Sequence, residues 1–113
     1  MTVLCVVNDS DLGVEVLRLG HLAAESTGQP LIVAAVERTR HPKTPDAEVV
    51  FLAEHQDESD AVLDLAAEHD ASLIVIGVRR RSPVGKFLLG SAAQKIILEA
   101  PIPVLTAKEP IRG

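Results

Sequence analysis

The residues best suited to chemistry lie in one stretch, Gly77-Val78-Arg79-Arg80-Arg81-Ser82-Pro83-Val84-Gly85-Lys86-Phe87-Leu88-Leu89-Gly90-Ser91. Arg79, Arg80, Arg81 and Lys86 are four of the eleven Lys and Arg residues, in a chain whose net charge is −5. The stretch starts where an apolar, β-branched run ends and stops where a helix-forming segment begins. That position suits an anion. A helix N-terminus offers unpaired backbone N–H groups and a partial positive charge. Gly90 lets the backbone come close to a phosphate, and the Ser91 hydroxyl adds a side-chain hydrogen bond. The residue types alone leave two readings open: an anion site, or a plain turn and helix cap beside a solubilising basic loop.

Other chemistries find little support. Lys86 is followed by Phe87 where a P-loop has Ser or Thr, and Arg80 stands where that motif needs its first glycine. Neither Ser82 nor Ser91 is flanked by glycines as a nucleophile elbow requires. His41, His55 and His69 are scattered in polar contexts, and His21 falls on a polar helical stripe. Asp60, Asp64 and Glu68 recur every four residues along one helix, which reads as a solvated face and not as a metal site. Cys5 is the only cysteine, so neither an internal disulfide nor a cysteine metal cluster can form, and its apolar surroundings predict a buried thiol. No side chain pairs a nucleophile with a base, and the expectation is a binding protein, not an enzyme.

The elements that position the basic stretch follow from periodicity. Val3 to Val7 and Leu31 to Val36 are continuous apolar runs, as in strands buried on both faces. Between them Asp11, Glu15, Arg18, His21 and Glu25 form a polar helical stripe, with Leu12, Val16, Leu19, Leu22 and Ala23 expected on the buried face and Gly28 as the stop. Val49 to Leu52 reads as a third strand. Asp57-Glu58-Ser59-Asp60 opens a second helix running to about His69. Leu73 to Ile76 is a fourth strand ending at Gly77. A last helix spans about Ser91 to Glu99, and Val104 to Thr106 is a closing strand, with the tail after Ala107 expected to be loose. Alternating strands and helices predict an α/β fold with a mainly parallel sheet covered on both faces. The third strand breaks the rhythm. The short link before it contains Pro42 and Pro45, which exclude a proper helix, so the strand is reached by a bare loop or runs antiparallel.

Length and composition bound the rest. The 113 residues form one domain, 1–113, with one core. Trp and Tyr are absent and Phe51 and Phe87 are the only aromatics, which removes the stacking platforms used to bind single-stranded nucleic acid. The negative net charge likewise gives no general attraction to nucleic acid. The first residues carry no basic n-region, and no apolar run approaches the ~18 residues of a membrane span. A cytoplasmic protein with no membrane partner is expected.

The run from Gly77 to Ser91, continuing through Ala92 to the Pro-Ile-Pro-Val ending at Val104, resembles the C-terminal signature of the universal stress protein family. Nucleotide-binding members of that family carry Gly, two residues, Gly, nine residues, then Gly-Ser or Gly-Thr. Gly77 and Gly90-Ser91 match the outer elements, and Arg80 occupies the middle glycine. The resemblance implies a five-stranded sheet of order 3-2-1-4-5, as in the adenine nucleotide alpha hydrolase-like arrangement. It implies a stress-response regulatory domain that binds ATP or another adenine nucleotide, with magnesium left open. Val7 and Asn8 would line the adenine and ribose pocket, with Asp9 as a substitute, and Val36 would offer backbone groups to adenine. Gly77, Gly90, Ser91 and Ala92 would surround the phosphates, with Arg79, Arg80 and Lys86 as charge partners. Asn8 stands where such members place an Asp, and a closed pocket at Arg80 would leave a member acting through protein contacts alone. The resemblance also implies a homodimer paired through Val104-Leu105-Thr106. Without the helix that family members carry between strands two and three, the surface around Phe51 is expected to be exposed.

Overall fold

A computed structural model of the chain describes residues 1–7, 11–36, 47–52, 57–78 and 90–108. Five strands, β1 (Thr2–Val7), β2 (Leu31–Val36), β3 (Glu48–Leu52), β4 (Ala71–Val78) and β5 (Val104–Lys108), form one sheet of order β3-β2-β1-β4-β5. Every pairing in it is parallel. Helices α1 (Asp11–Thr27), α2 (Glu58–Glu68) and α3 (Ser91–Glu99) carry three of the returns. No helix among the described residues is long and apolar enough to cross a membrane.

The central strand β1 has apolar residues at every position after Thr2 because both its faces are covered. Val3, Cys5 and Val7 enter the core beneath α1, while Leu4 enters the core beneath α2 and α3. Helix α1 ends at Gly28, whose φ of 65° is the left-handed conformation that glycine adopts without strain. There Gln29 N–H donates to the Ala24 carbonyl at 3.0 Å and Gly28 N–H to that of Glu25 at 3.4 Å, a Schellman closure. Helix α2 opens on Asp57, whose carboxylate accepts from Asp60 N–H at 3.1 Å and from the Ser59 hydroxyl. Those two bonds, the Ser59 one foremost, hold the Asp57 carboxyl below its ordinary range.

The third strand is parallel. Residues 53–57 must lead from β3 into α2, and α2 must deliver the chain to the start of β4. An antiparallel β3 would leave those few residues the whole height of the sheet to climb. Residues 37–47 can reach at most about 36 Å when extended, ample to return along a six-residue strand of about 17 Å. The expected exposure is also found. Phe51 keeps 49% of its surface exposed. It pairs with Ala35 on the α1 side of the sheet, where α1 packs over β1, β2, β4 and β5.

Helix α1 is rotated from the expected face. The buried line is Leu12, Val16, Leu17, Gly20 and Ala24, and Leu22 is 55% exposed. The cause is Gly20. A Cβ built there would lie 2.0 Å from Cys5 Sγ, so the helix backbone itself sits against the strand at this point. With residue 20 at the contact, residue 22, about 200° further round, must face outward. Burial pushes the Cys5 thiol up to about 12, so it is protonated at neutral pH, and its Sγ–Val16 carbonyl separation is 3.7 Å.

Strand β4 also exceeds its expected span. It begins at Ala71, where Ser72 adds bonds to the Thr2 carbonyl and to Gln29, and it continues through Gly77 to Val78. Gly77 therefore lies inside the strand, paired with Ala107, and β5 extends to Lys108 opposite Val78.

Gly20→Ala should destabilise the fold by about 1–3 kcal/mol, because the new methyl overpacks the α1–β1 contact. Adding Cys5→Ala removes the sulfur it meets, so urea unfolding of both single variants and the double variant should show recovery. Strict additivity would reject this contact as the origin.

Candidate functional site

Because the strands are parallel and each helix returns the chain from their far end, all three helix N-termini collect at one edge of the sheet. The same edge holds the last residues of the strands: Val7, Val36, Leu52, Val78 and Lys108. Ligands of open α/β sheets sit at such an edge, where strand order reverses. Here the reversal lies between β1 and β4, whose chains leave toward opposite sides.

The N-termini of α2 and α3 at this edge differ. That of α2 is closed by the chain itself, with Asp57 as the cap and Glu58 and Asp60 in its first turn. Helix α3 begins at Gly90, with no side-chain cap and no acidic residue in its first turn. Its first internal bond is Gln94 N–H to the Gly90 carbonyl at 3.0 Å, which leaves the Ser91, Ala92 and Ala93 amides ahead of the helical ladder. These donors and the helix dipole favour a negative group. Gly90 has φ −64° and ψ 159°, a conformation open to any residue, and a Cβ there would meet nothing within 4 Å among the described residues. Neither backbone strain nor described packing requires glycine at this position.

The expected site residues separate into groups. Gly90 and Ser91 are exposed at the start of α3 and Ala92 is half-buried beside them. Val7 ends β1, but its side chain is buried under α1, so it has backbone rather than side chain to offer a ligand. Val36 ends β2 opposite Leu52, which leaves its backbone at the same edge. Gly77 has a packing role of its own, since a Cβ there would come within 2.6 Å of Leu12 Cγ. Its lack of a side chain lets the first turn of α1 close over the end of β4. Asn8, Asp9, Arg79, Arg80 and Lys86 lie outside the described residues.

Two features escaped the sequence reading. Lys95 of α3 donates to Asp60 of α2 at 2.7 Å, a bond that raises the lysine pKa. It bridges the two helices and occupies one carboxylate of the expected acidic stripe. Residue spacing carries no signal for it, because the partners are 35 positions apart. Lys108, expected in a loose tail, is the last residue of β5 at the site's edge. Its parity with Val104 was the available signal. Among the described residues no three His, Cys, Asp or Glu side chains converge on a metal position.

A doubly wound α/β domain with an uncapped helix N-terminus at the switch edge is the class this geometry defines. Comparison with known proteins is more specific: a profile described as the Universal stress protein family matches residues 1–108. A universal stress protein of Mycolicibacterium smegmatis is 52% identical over 52 residues, a match that spans 46% of this chain and 40% of that protein's length. Among solved structures, a universal stress protein from Archaeoglobus fulgidus superposes with a TM-score of 0.80 at 29% identity, covering 96% of this chain and 98% of that one. A structure of the universal stress protein from Archaeoglobus fulgidus in complex with dAMP gives a TM-score of 0.71 at 27% identity, with coverage of 96% and 98%. The chain belongs to the universal stress protein family.

Gly90→Asp should stabilise the fold by about 0.5–1 kcal/mol, since an aspartate caps amides and suits the helix dipole better than glycine. Thermal and urea unfolding measure this; a loss of stability would show that the α3 N-terminus lacks the free space and donors described.

Proposed function

We propose that this domain binds an adenine nucleotide, ATP or a relative of it, and acts as a regulatory, stress-associated binding module rather than an enzyme. The observation that carries the reading is the uncapped N-terminus of α3, set beside the ends of β1 and β4, in a family whose dAMP-bound relative matches nearly its own full length to this chain. The phosphate lies against the Ser91, Ala92 and Ala93 amides. The base lies toward the backbone at the ends of β1 and β2. Arg79, Arg80 and Lys86 belong to the connection from β4 to α3 and supply charge to the same anion. Magnesium has no assigned ligand in this reading, and the setting is cytoplasmic.

Among the described residues β3 and β5 are the two edge strands of the sheet, and exposed strand edges favour pairing with another chain. We assign the homodimer to β5, whose Leu105 is exposed and whose preceding Pro103 lies outside the strand, so the prolyl nitrogen costs the edge no donor. The half-exposed Phe51 favours a second reading, a member that works through protein contacts with its nucleotide pocket closed at Arg80.

Thermal-shift titration with ATP, ADP, AMP and cyclic AMP, with and without magnesium, separates the readings. Binding to the folded state alone raises the melting temperature as ligand passes its dissociation constant. A saturable shift is expected, and Gly90→Asp should remove it while keeping the fold. No shift at millimolar ligand, in protein freed of bound nucleotide, selects the protein-contact reading. Light scattering at micromolar concentration should report a dimer that Leu105→Glu weakens; a monomeric wild type would reject the β5 assignment.

A further inference from the structure

Lys108 pairs with Val78, so the end of β5 stands directly beside the end of β4 at the nucleotide edge. Side chains alternate across a strand. Val104 packs against the core under α2 and α3 and Ala107 lies in the core under α1, which puts Lys108 on the α3 side of the sheet. The heights match as well. Helix α3 descends nine residues from Ser91 to Glu99, about 13 Å. The chain turns, and β5 climbs back over its five residues to Lys108, again about 13 Å. Lys108 therefore ends β5 at the edge of the sheet from which α3 sets out, and it is exposed.

Strand order supplies the direction. With the base over the ends of β2 and β1 and the first phosphate at α3 over β4, the next strand along that line is β5. Two strand spacings, about 10 Å, separate β1 from β5. A monophosphate stops one ester bond from the ribose, whereas each further phosphate extends the ligand by an anhydride bridge toward β5. An ammonium on a flexible stem suits a terminal phosphate that has some freedom of position.

We propose that Lys108 contacts the distal phosphates of a nucleoside di- or triphosphate and thereby sets the site's preference for phosphate-chain length. The inference rests on the nucleotide reading above and adds to it a residue and a selectivity. Isothermal titration of wild type, Lys108→Gln and Lys108→Arg with adenosine, AMP, ADP and ATP at low ionic strength tests it.

Lys108→Gln should weaken ATP about threefold to fivefold, the range of a solvent-exposed charge pair, with ADP affected less and AMP and adenosine unchanged. Lys108→Arg should restore most of the loss, and added salt should shrink the difference between wild type and Lys108→Gln. Unchanged ATP affinity in Lys108→Gln overturns the inference and leaves the nucleotide reading standing. An equal loss for all four ligands also overturns it, because that marks a structural effect. Wild-type protein that binds none of the four removes the nucleotide reading and this inference with it.

Discussion

The contact between Gly20 of α1 and Cys5 of β1 is the constraint on which much of the domain turns. At that point a helix backbone lies against the sulfur of the central strand, closer than any side chain on residue 20 would allow. Close approach fixes the rotation of α1, and rotation decides which residues are buried. Leu12, Val16, Leu17 and Ala24 are carried inward, and Leu22 is carried out to solvent despite its apolar side chain. The same placement brings Leu12 over Gly77 near the end of β4, so two glycines on separate elements hold the helix close to the sheet. Well-packed interiors transmit such contacts because few voids exist to absorb a displacement.

The functional edge inherits its shape from that packing. Helix α1 begins beside the ends of β1 and β4, and α3 begins on the other face of the sheet, so the reversal in strand order is flanked by helix starts on both sides. Helix α2 satisfies its own N-terminus through Asp57, and the Lys95–Asp60 bond ties it to α3. Helix α3 keeps its first amides clear of side-chain caps. A capping residue there would add stability, and among the described residues none caps these donors. A site for an anion and an optimised helix terminus are in this sense competing uses of the same N–H groups.

A small domain has little surface to spare, and the short link between β2 and β3 redistributes it. The α1 side of β3 carries the half-exposed Phe51, while β5 presents Leu105 at the other end of the sheet. Leu98, on the outer face of α3, is 82% exposed. Scattered exposed apolar residues are ordinary on protein surfaces; those next to an unpaired strand edge are better placed to add apolar area to an interface.

Sequence alone determined the order and type of the elements, since continuous β-branched runs and a helical period of acidic and apolar residues are local patterns. It also determined the cap at Asp57, the stop at Gly28 and the start of α3 at Gly90-Ser91, each set by a few adjacent residues. The strand order was legible only through the family signature around Gly77 and Gly90, because no local period encodes which strands become neighbours. Tertiary structure decided the direction of β3, which depends on where α2 must deliver the chain. It decided the true buried face of α1, because Ala24 lies only about 40° round the helix from Gly20 and is buried, whereas the more hydrophobic Leu22 lies about 200° round and is exposed. It alone placed Gly77 inside β4 under Leu12, and Lys108 opposite Val78 at the end of β5. Those relations join residues far apart in the chain, and they come into being only when helix and sheet are packed together.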